Sequence, residues 1–108
     1  MTMLDHIVIN VSDLDGSRSF YEQALEPLGH GVVLDLAEQA GTVGFGSNGM
    51  PSFWIREGDT SSPVHVAFAA TDRDEVDAFH VAAMGAGATD NGAPGIREIY
   101  HPNYYGAF

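Results

Sequence analysis

His6-Ile7-Val8-Ile9-Asn10-Val11-Ser12-Asp13-Leu14-Asp15 and His65-Val66-Ala67-Phe68-Ala69-Ala70-Thr71-Asp72-Arg73-Asp74 align without a gap at a constant offset of 59 residues. The same offset sets Phe20 over Phe79 and Tyr21 over His80. Each copy reads as a His-bearing apolar strand, a Ser/Thr-Asp stop and an amphipathic helix. A repeated unit of this size is a supersecondary module that buries its apolar face by stacking on its twin. Two equal copies would run to about position 117 at this offset. The sequence ends at Phe108, about one strand earlier.

Outward from the first copy, Met3 to Val11 alternates and predicts a strand. Ile7, Ile9 and Val11 form its more apolar face and belong under the helix; His6, Val8 and Asn10 look the other way. Ser12 stands where a helix N-cap would, with Asp15 three residues on. Leu14, Phe20, Tyr21, Ala24, Leu25 and Leu28 give a helical stripe that Pro27 and Gly29 end. Val32–Leu36, Thr42–Gly46 and Ser52–Arg56 are short strands, punctuated by Gly41 and by Gly46-Ser47-Asn48-Gly49. Residues 1–60 therefore form a βαβββ module.

Residues 61–108 form a second, truncated βαββ module sharing one domain with the first. Val64–Ala70 is its opening strand, with Val66, Phe68 and Ala70 under the helix and His65 looking out beside Ala67 and Ala69. Thr71-Asp72 caps a helix that turns Val76, Phe79, Ala83 and Met84 to the core and stops at Gly85 and Gly87. Ala88–Asn91 is a candidate for brief pairing, Gly92-Ala93-Pro94-Gly95 is a turn, and Tyr104–Phe108 starts another strand. The fold class is α+β: tandem βαβββ modules forming a curved, partly open mixed sheet with helices on the outer face, the second module incomplete.

Fifteen acidic residues stand against four arginines, with no lysine, for a formal charge of −11. Such a chain repels phosphate backbones and anionic lipid surfaces, so neither nucleic acid nor membrane is an expected partner. With no cysteine, disulfides, thiolate metal sites and a Cys nucleophile are excluded. No basic leader or long apolar run is visible, which makes a cytoplasmic protein the expectation.

His6 and His65 are the first candidates for chemistry. If the modules meet about a pseudo-two-fold, the two imidazoles converge on one concavity and supply half of a divalent metal site. His101, Tyr104 and Tyr105 form the next cluster. Pro102 holds His101 extended, and the two tyrosines must point to opposite faces of a strand, so one of them can enter the groove. Trp54, Phe53 and Phe45 offer aromatic walls to an apolar or planar ligand, or ordinary core packing. Arg56 and Arg97 are read as surface residues, with neutralisation of an anionic substrate as the alternative. His30 and His80 read as surface or helix-face residues without a role. Gly44 to Gly49 does not lie between a strand and a helix start, so it is not a phosphate cradle.

The duplication with a His on the first strand of each half resembles the vicinal oxygen chelate superfamily, which includes glyoxalase I, extradiol dioxygenases, fosfomycin-resistance enzymes and bleomycin-binding proteins. Leu4-Asp5-His6-Ile7, Ser17-Arg18-Ser19-Phe20-Tyr21, Pro51-Ser52-Phe53-Trp54-Ile55, Val64-His65-Val66-Ala67-Phe68 and His101-Pro102-Asn103-Tyr104-Tyr105-Gly106-Ala107-Phe108 look like a glyoxalase-like branch of it. The resemblance implies a divalent ion (Zn, Fe, Mn or Ni) bound through the first and last strands of each half. His6 and His65 match two of those ligand positions. A third falls near Trp54, which cannot ligate, and the Glu of the final strand has no counterpart. The implied function is a metal-dependent lyase, isomerase or dioxygenase acting on a small oxygen-rich molecule. The alternative is a non-catalytic drug- or metabolite-binding protein of bleomycin-resistance type, with Trp54, Tyr104, Tyr105, His101 and Asn10 around the ligand; a third is a remnant that only folds and dimerises. An open sheet lacking a strand exposes unpaired N–H and C=O groups, so a homodimer, or a strand-exchanged one, is expected.

Overall fold

The protein is described by a computed structural model covering residues 3–108; the first two positions of the 1–60 module lie outside these. The chain runs β1 (Ile7–Val11), α1 (Leu14–Leu25), a 3-10 turn (Glu26–Leu28), β2 (Gly31–Leu36), α2 (Ala37–Ala40), β3 (Thr42–Ser47), β4 (Met50–Glu57), α3 (Arg73–Gly85), β5 (Gly95–Ile96) and β6 (Tyr105–Gly106). The first four strands form an open mixed sheet in the order β1-β4-β3-β2, with β1 parallel to β4 and the other pairs antiparallel. The expected α+β architecture is therefore present, with one helical turn, α2, that periodicity did not show. Its Ala-Glu-Gln-Ala sequence favours helix; Asp35 Oδ1 accepts from the Ala37 N–H at 3.0 Å, and Gly41 ends the turn at φ 66°.

The repeat is visible in how the two long helices begin. Asp13 caps α1 by accepting from the Gly16 N–H at 3.1 Å, and Asp72 caps α3 by accepting from the Glu75 N–H at 2.8 Å. The first cap is thus Asp13, not Ser12. A Cβ on Gly16 would sit 2.5 Å from Asp13 Oδ2, so this glycine makes room for the capping carboxylate. α1 and α3 pack on each other, and α1 packs on β4.

Strand alternation decides the core. Val43, Phe45, Phe53 and Ile55 point from β3 and β4 toward the helices and are buried with Val11, Leu14 and Leu25. Ile7 and Ile9 pack against them as expected. Tyr21 stands among four rings: Phe53 at 4.9 Å, Phe20 at 5.0 Å, Phe45 at 6.0 Å and Phe68 at 6.4 Å between centroids. Burial pushes its phenol pKa up. Ala83 is buried and Phe79 packs against Phe68, whereas Met84, expected in the core, is largely exposed on α3.

Asn48 and Gly49, at φ 54° and 74°, form a two-residue hairpin loop between the paired Ser47 and Met50. Two central residues with positive φ suit the right-handed twist of the strands they join, and Asn-Gly is the preferred pair there.

Four expected strand stretches are shorter or absent. β1 begins at Ile7 rather than Met3. Continuing its register would set Asp5 beside Pro51, which has no N–H to give. Val64–Ala70 forms no strand, because among the described residues no strand lies beside it in the way β4 lies beside β1. Ala88–Asn91 forms no strand, and pairing around Tyr104–Phe108 narrows to β5–β6 plus bonds from the Asn91 N–H to Phe108 O (2.9 Å) and the Phe108 N–H to Gly92 O (2.7 Å).

Candidate functional site

The face of the four-stranded sheet turned away from the helices carries the first candidate site. Register places Asn10 beside Arg56 beside Thr42 in one row, and Val8 beside Trp54 beside Gly44 in the next. Alternation sends all of these side chains to the same face, opposite Phe53 and Ile55. A cavity of about 400 Å³ opens there, bordered by Asp5, His6, Val8, Pro51, Trp54 and Arg56 among others. The Trp54 indole rests on Gly44: a Cβ at that glycine would lie 2.9 Å from Cε2 and Cζ2 of the ring. The sheet thus supports one side of the indole. Arg56 donates through Nε to Asn10 Oδ1 at 3.1 Å, and Asn10 Nδ2 donates to the Asp59 carbonyl at 2.9 Å, which fixes which way the amide faces. His6 Nδ1 lies 2.7 Å from Asp5 Oδ1, with both groups exposed.

A second cavity of about 490 Å³ lies between the extended Val64–Ala70 segment and Tyr104–Phe108, floored by Val76 and Phe79 of α3. In the first half, β4 fills the space between β1 and β3. The cavity stands at the corresponding place in the second half. It is a slot bordered on one side by the Val64–Ala70 backbone, which forms no strand among the described residues. His65 lines it, 6.2 Å from the Phe108 ring, as do Tyr104 and Tyr105. Tyr105 donates to Asp77 Oδ1 at 2.6 Å, and that bond to a carboxylate is the main reason its pKa is raised.

The expected site residues are therefore divided. His6 and Trp54 border the cavity on the four-stranded sheet, with Asn10 bracing Arg56 beside it. His65, Tyr104 and Tyr105 border the slot. His101 borders neither; its Nδ1 accepts from the Asn103 N–H at 3.1 Å. Of the two histidines read without a role, one is bonded to a neighbour and the other is not. His80 Nε2 lies 3.2 Å from Asp90 Oδ1, and His30 Nδ1 is buried without a partner. Gly44 and Asp5 joined the site only in three dimensions, while Arg56, read as a surface residue with anion neutralisation as the alternative, borders the cavity. The signal for Arg56 was its place two residues after Trp54, hence on the same strand face.

The side chains present do not fit a resident divalent ion. His6 already engages Asp5 and His65 borders a different cavity. The Trp54 indole N–H has no lone pair to offer. Among the described residues, no three His, Cys, Asp or Glu side chains gather where they could hold a metal. No helix of the described residues is long and apolar enough to cross a membrane.

The fold is shared with solved proteins. A glyoxalase/bleomycin resistance protein from Albidiferax ferrireducens superimposes with a TM-score of 0.73 and 28% identity, over 90% of this chain and 83% of that one. A hypothetical protein from S. aureus shares the fold with a TM-score of 0.65 and 18% identity, over 99% of this chain and 84% of that one. No curated protein matches. The model of the Glyoxalase/Bleomycin resistance protein/Dioxygenase superfamily matches residues 3–101. With its duplicated helix starts and the β1-β4-β3-β2 sheet, the chain belongs to that superfamily.

Proposed function

We propose that the chain binds a small organic molecule on the outer face of its four-stranded sheet, in the manner of a drug- or metabolite-binding protein. The observation that carries this reading is Trp54 lying over Gly44 at the mouth of the 400 Å³ cavity. A supported, half-exposed indole is a platform for a planar ligand, and the cavity lies in the size range of small-molecule sites. The similarity to the Albidiferax glyoxalase/bleomycin resistance protein supports it.

The chain has a single Trp, so the indole N–H signal in a proton–nitrogen correlation spectrum reports on this site alone. Titration with 2-naphthol is expected to shift that signal equally with and without chelator. Gly44→Ala, which pushes the ring aside, is expected to weaken the binding by roughly fivefold or more. An indole signal unmoved by 2-naphthol would overturn the reading.

The competing proposal is a metal-dependent lyase, isomerase or dioxygenase with His6 and His65 as ligands. Their equivalent places in the repeat favour it. Zn, Mn, Ni or Fe(II) added to chelator-treated protein would then bind at a ratio near one, and His65→Ala would abolish it. Binding that survives His65→Ala, or none at all, defeats this alternative.

We further propose a homodimer, in which a strand from one protomer enters the slot beside Val64–Ala70 of its partner. The unladdered backbone there and the apolar floor of Val76 and Phe79 support it. With −11 on each protomer, association works against charge repulsion. Sedimentation velocity is expected to show a dimer whose share grows as salt is raised from about 0.02 to 0.5 M. A clean monomer at high micromolar concentration in both buffers would defeat the proposal.

A further inference from the structure

We infer that the cavity on the four-stranded sheet takes a planar aromatic carboxylate, its ring on Trp54 and its carboxylate on Arg56. The inference rests on the small-molecule reading above and names the ligand class for that site.

Acidic residues outnumber arginines fifteen to four, yet among the described residues Arg18 is the only arginine with a carboxylate partner, and it is their surroundings that tell the other three apart. Arg18 binds two carboxylates, Glu22 at 3.0 Å and Asp35 at 2.6 Å, and these hold its guanidinium even more firmly protonated. Arg73 lies over the Tyr105 ring at 5.0 Å. Arg97 lies 5.4 Å from the Phe108 ring centroid and donates to the Ala93 carbonyl at 2.7 Å. Arg56 alone borders a cavity that also holds an indole.

Its one protein partner among the described residues is neutral, the Asn10 amide. That bond uses Nε–H. The terminal nitrogens, which form the fork that grips a carboxylate in two parallel hydrogen bonds, have no protein acceptor among the described residues. Asn10 is itself held by the Asp59 carbonyl, so the guanidinium plane is set before a ligand arrives. A preorganised fork loses less freedom on binding than a free side chain.

The geometry also sets the ligand's length. Arg56 and Trp54 are two residues apart on one strand, about 7 Å. That distance separates a carboxylate from the centre of a one- or two-ring aromatic system. The acidic group bordering the same cavity is Asp5, five residues before Asn10, which lies level with Arg56, and so roughly 16 Å of extended chain away. Glu57 follows Arg56 but alternates to the opposite face. The anion would therefore lie at the end of the cavity farthest from Asp5.

The test compares 2-naphthoate with 2-naphthamide, the same ring without the charge, on the full chain, read at the Trp54 indole N–H. The acid is expected to bind at least about tenfold more tightly than the amide, the usual scale of a charge-assisted pair. Arg56→Gln is expected to bring the two to within about twofold, by weakening the acid only. Arg56→Lys should keep part of the preference, because charge remains but the fork is lost. Arg56 is exposed, and an unchanged circular dichroism spectrum will show that each variant is folded. Equal binding of acid and amide to the parent chain would overturn the ligand class and leave the site standing. A preference that persists in Arg56→Gln would overturn the role of Arg56. Silence from both probes would overturn the site and the class together.

Discussion

Phe45→Ala is expected to lower the free energy of unfolding by about 3–5 kcal/mol, the range for removing a buried ring and leaving a cavity. Phe45 has no exposed surface and packs with Tyr21 and Phe53 at 6.0 and 6.1 Å between centroids. It stands in β3, between β2 and β4, so strands close around it on both sides and little can collapse into the gap. A domain of this size has roughly 5–15 kcal/mol in all, so the variant is expected to be partly unfolded at 37 °C. Urea denaturation followed by circular dichroism measures the loss. Val81→Ala, at a position 71% exposed on α3, serves as the control and is expected to stay within about 0.5 kcal/mol of the parent. A loss below about 1 kcal/mol for Phe45→Ala would mean that this ring is not where the core is.

Gly46→Ala is expected to cost about 3 kcal/mol or more, although it adds one methyl group. A Cβ at Gly46 would collide with the carbonyl oxygen of Met50 across the hairpin, and that oxygen belongs to backbone. The register shifts between Phe45 and Gly46, so the two strands approach closely at this bulge. The clash can be relieved only by moving the β3–β4 hairpin, which carries Trp54 and Arg56 on its second strand. Gly49→Ala isolates the other reason for a glycine. Gly49 has φ 74° but nothing within 4 Å of the added atom, so only the left-handed backbone penalty of about 1–2 kcal/mol applies. Thermal unfolding of both variants is expected to rank Gly46→Ala well below Gly49→Ala. The reverse order would show that the bulge yields easily.

The duplicated His-strand-Asp-helix pattern carried the fold, because alternation and capping are local and survive in one dimension. Ile7, Ile9 and Val11 lie under the helix as their period of two requires. Two errors share one cause. Val64–Ala70 has the composition of a strand, and Met3 to His6 continues the alternation of β1, yet neither is a strand among the described residues. A strand is a property of two segments, and apolar alternation describes only one of them. The helix cap moved from Ser12 to Asp13 because Gly16, with no side chain, leaves room for the longer carboxylate to reach it.

The site was legible in part. Trp54 could be assigned to the groove face from alternation alone. The indole resting on Gly44 and the brace from Asn10 to Arg56 could not, since both depend on how β1, β4 and β3 come into register. Asn10 and Arg56 are 46 positions apart in sequence. The two histidines illustrate the opposite case: their equivalence in the repeat is exact in sequence, while in space each borders its own cavity.

The parallel pairing of β1 with β4 has a consequence for biosynthesis. Ile7 leaves the ribosome 46 residues ahead of its neighbour in the sheet, Phe53. Translation adds roughly 5–20 residues per second, so the nascent opening segment waits on the order of seconds for its companion. During that interval its isoleucines and valines are bare, and a chaperone that shields short apolar stretches would find its target in β1.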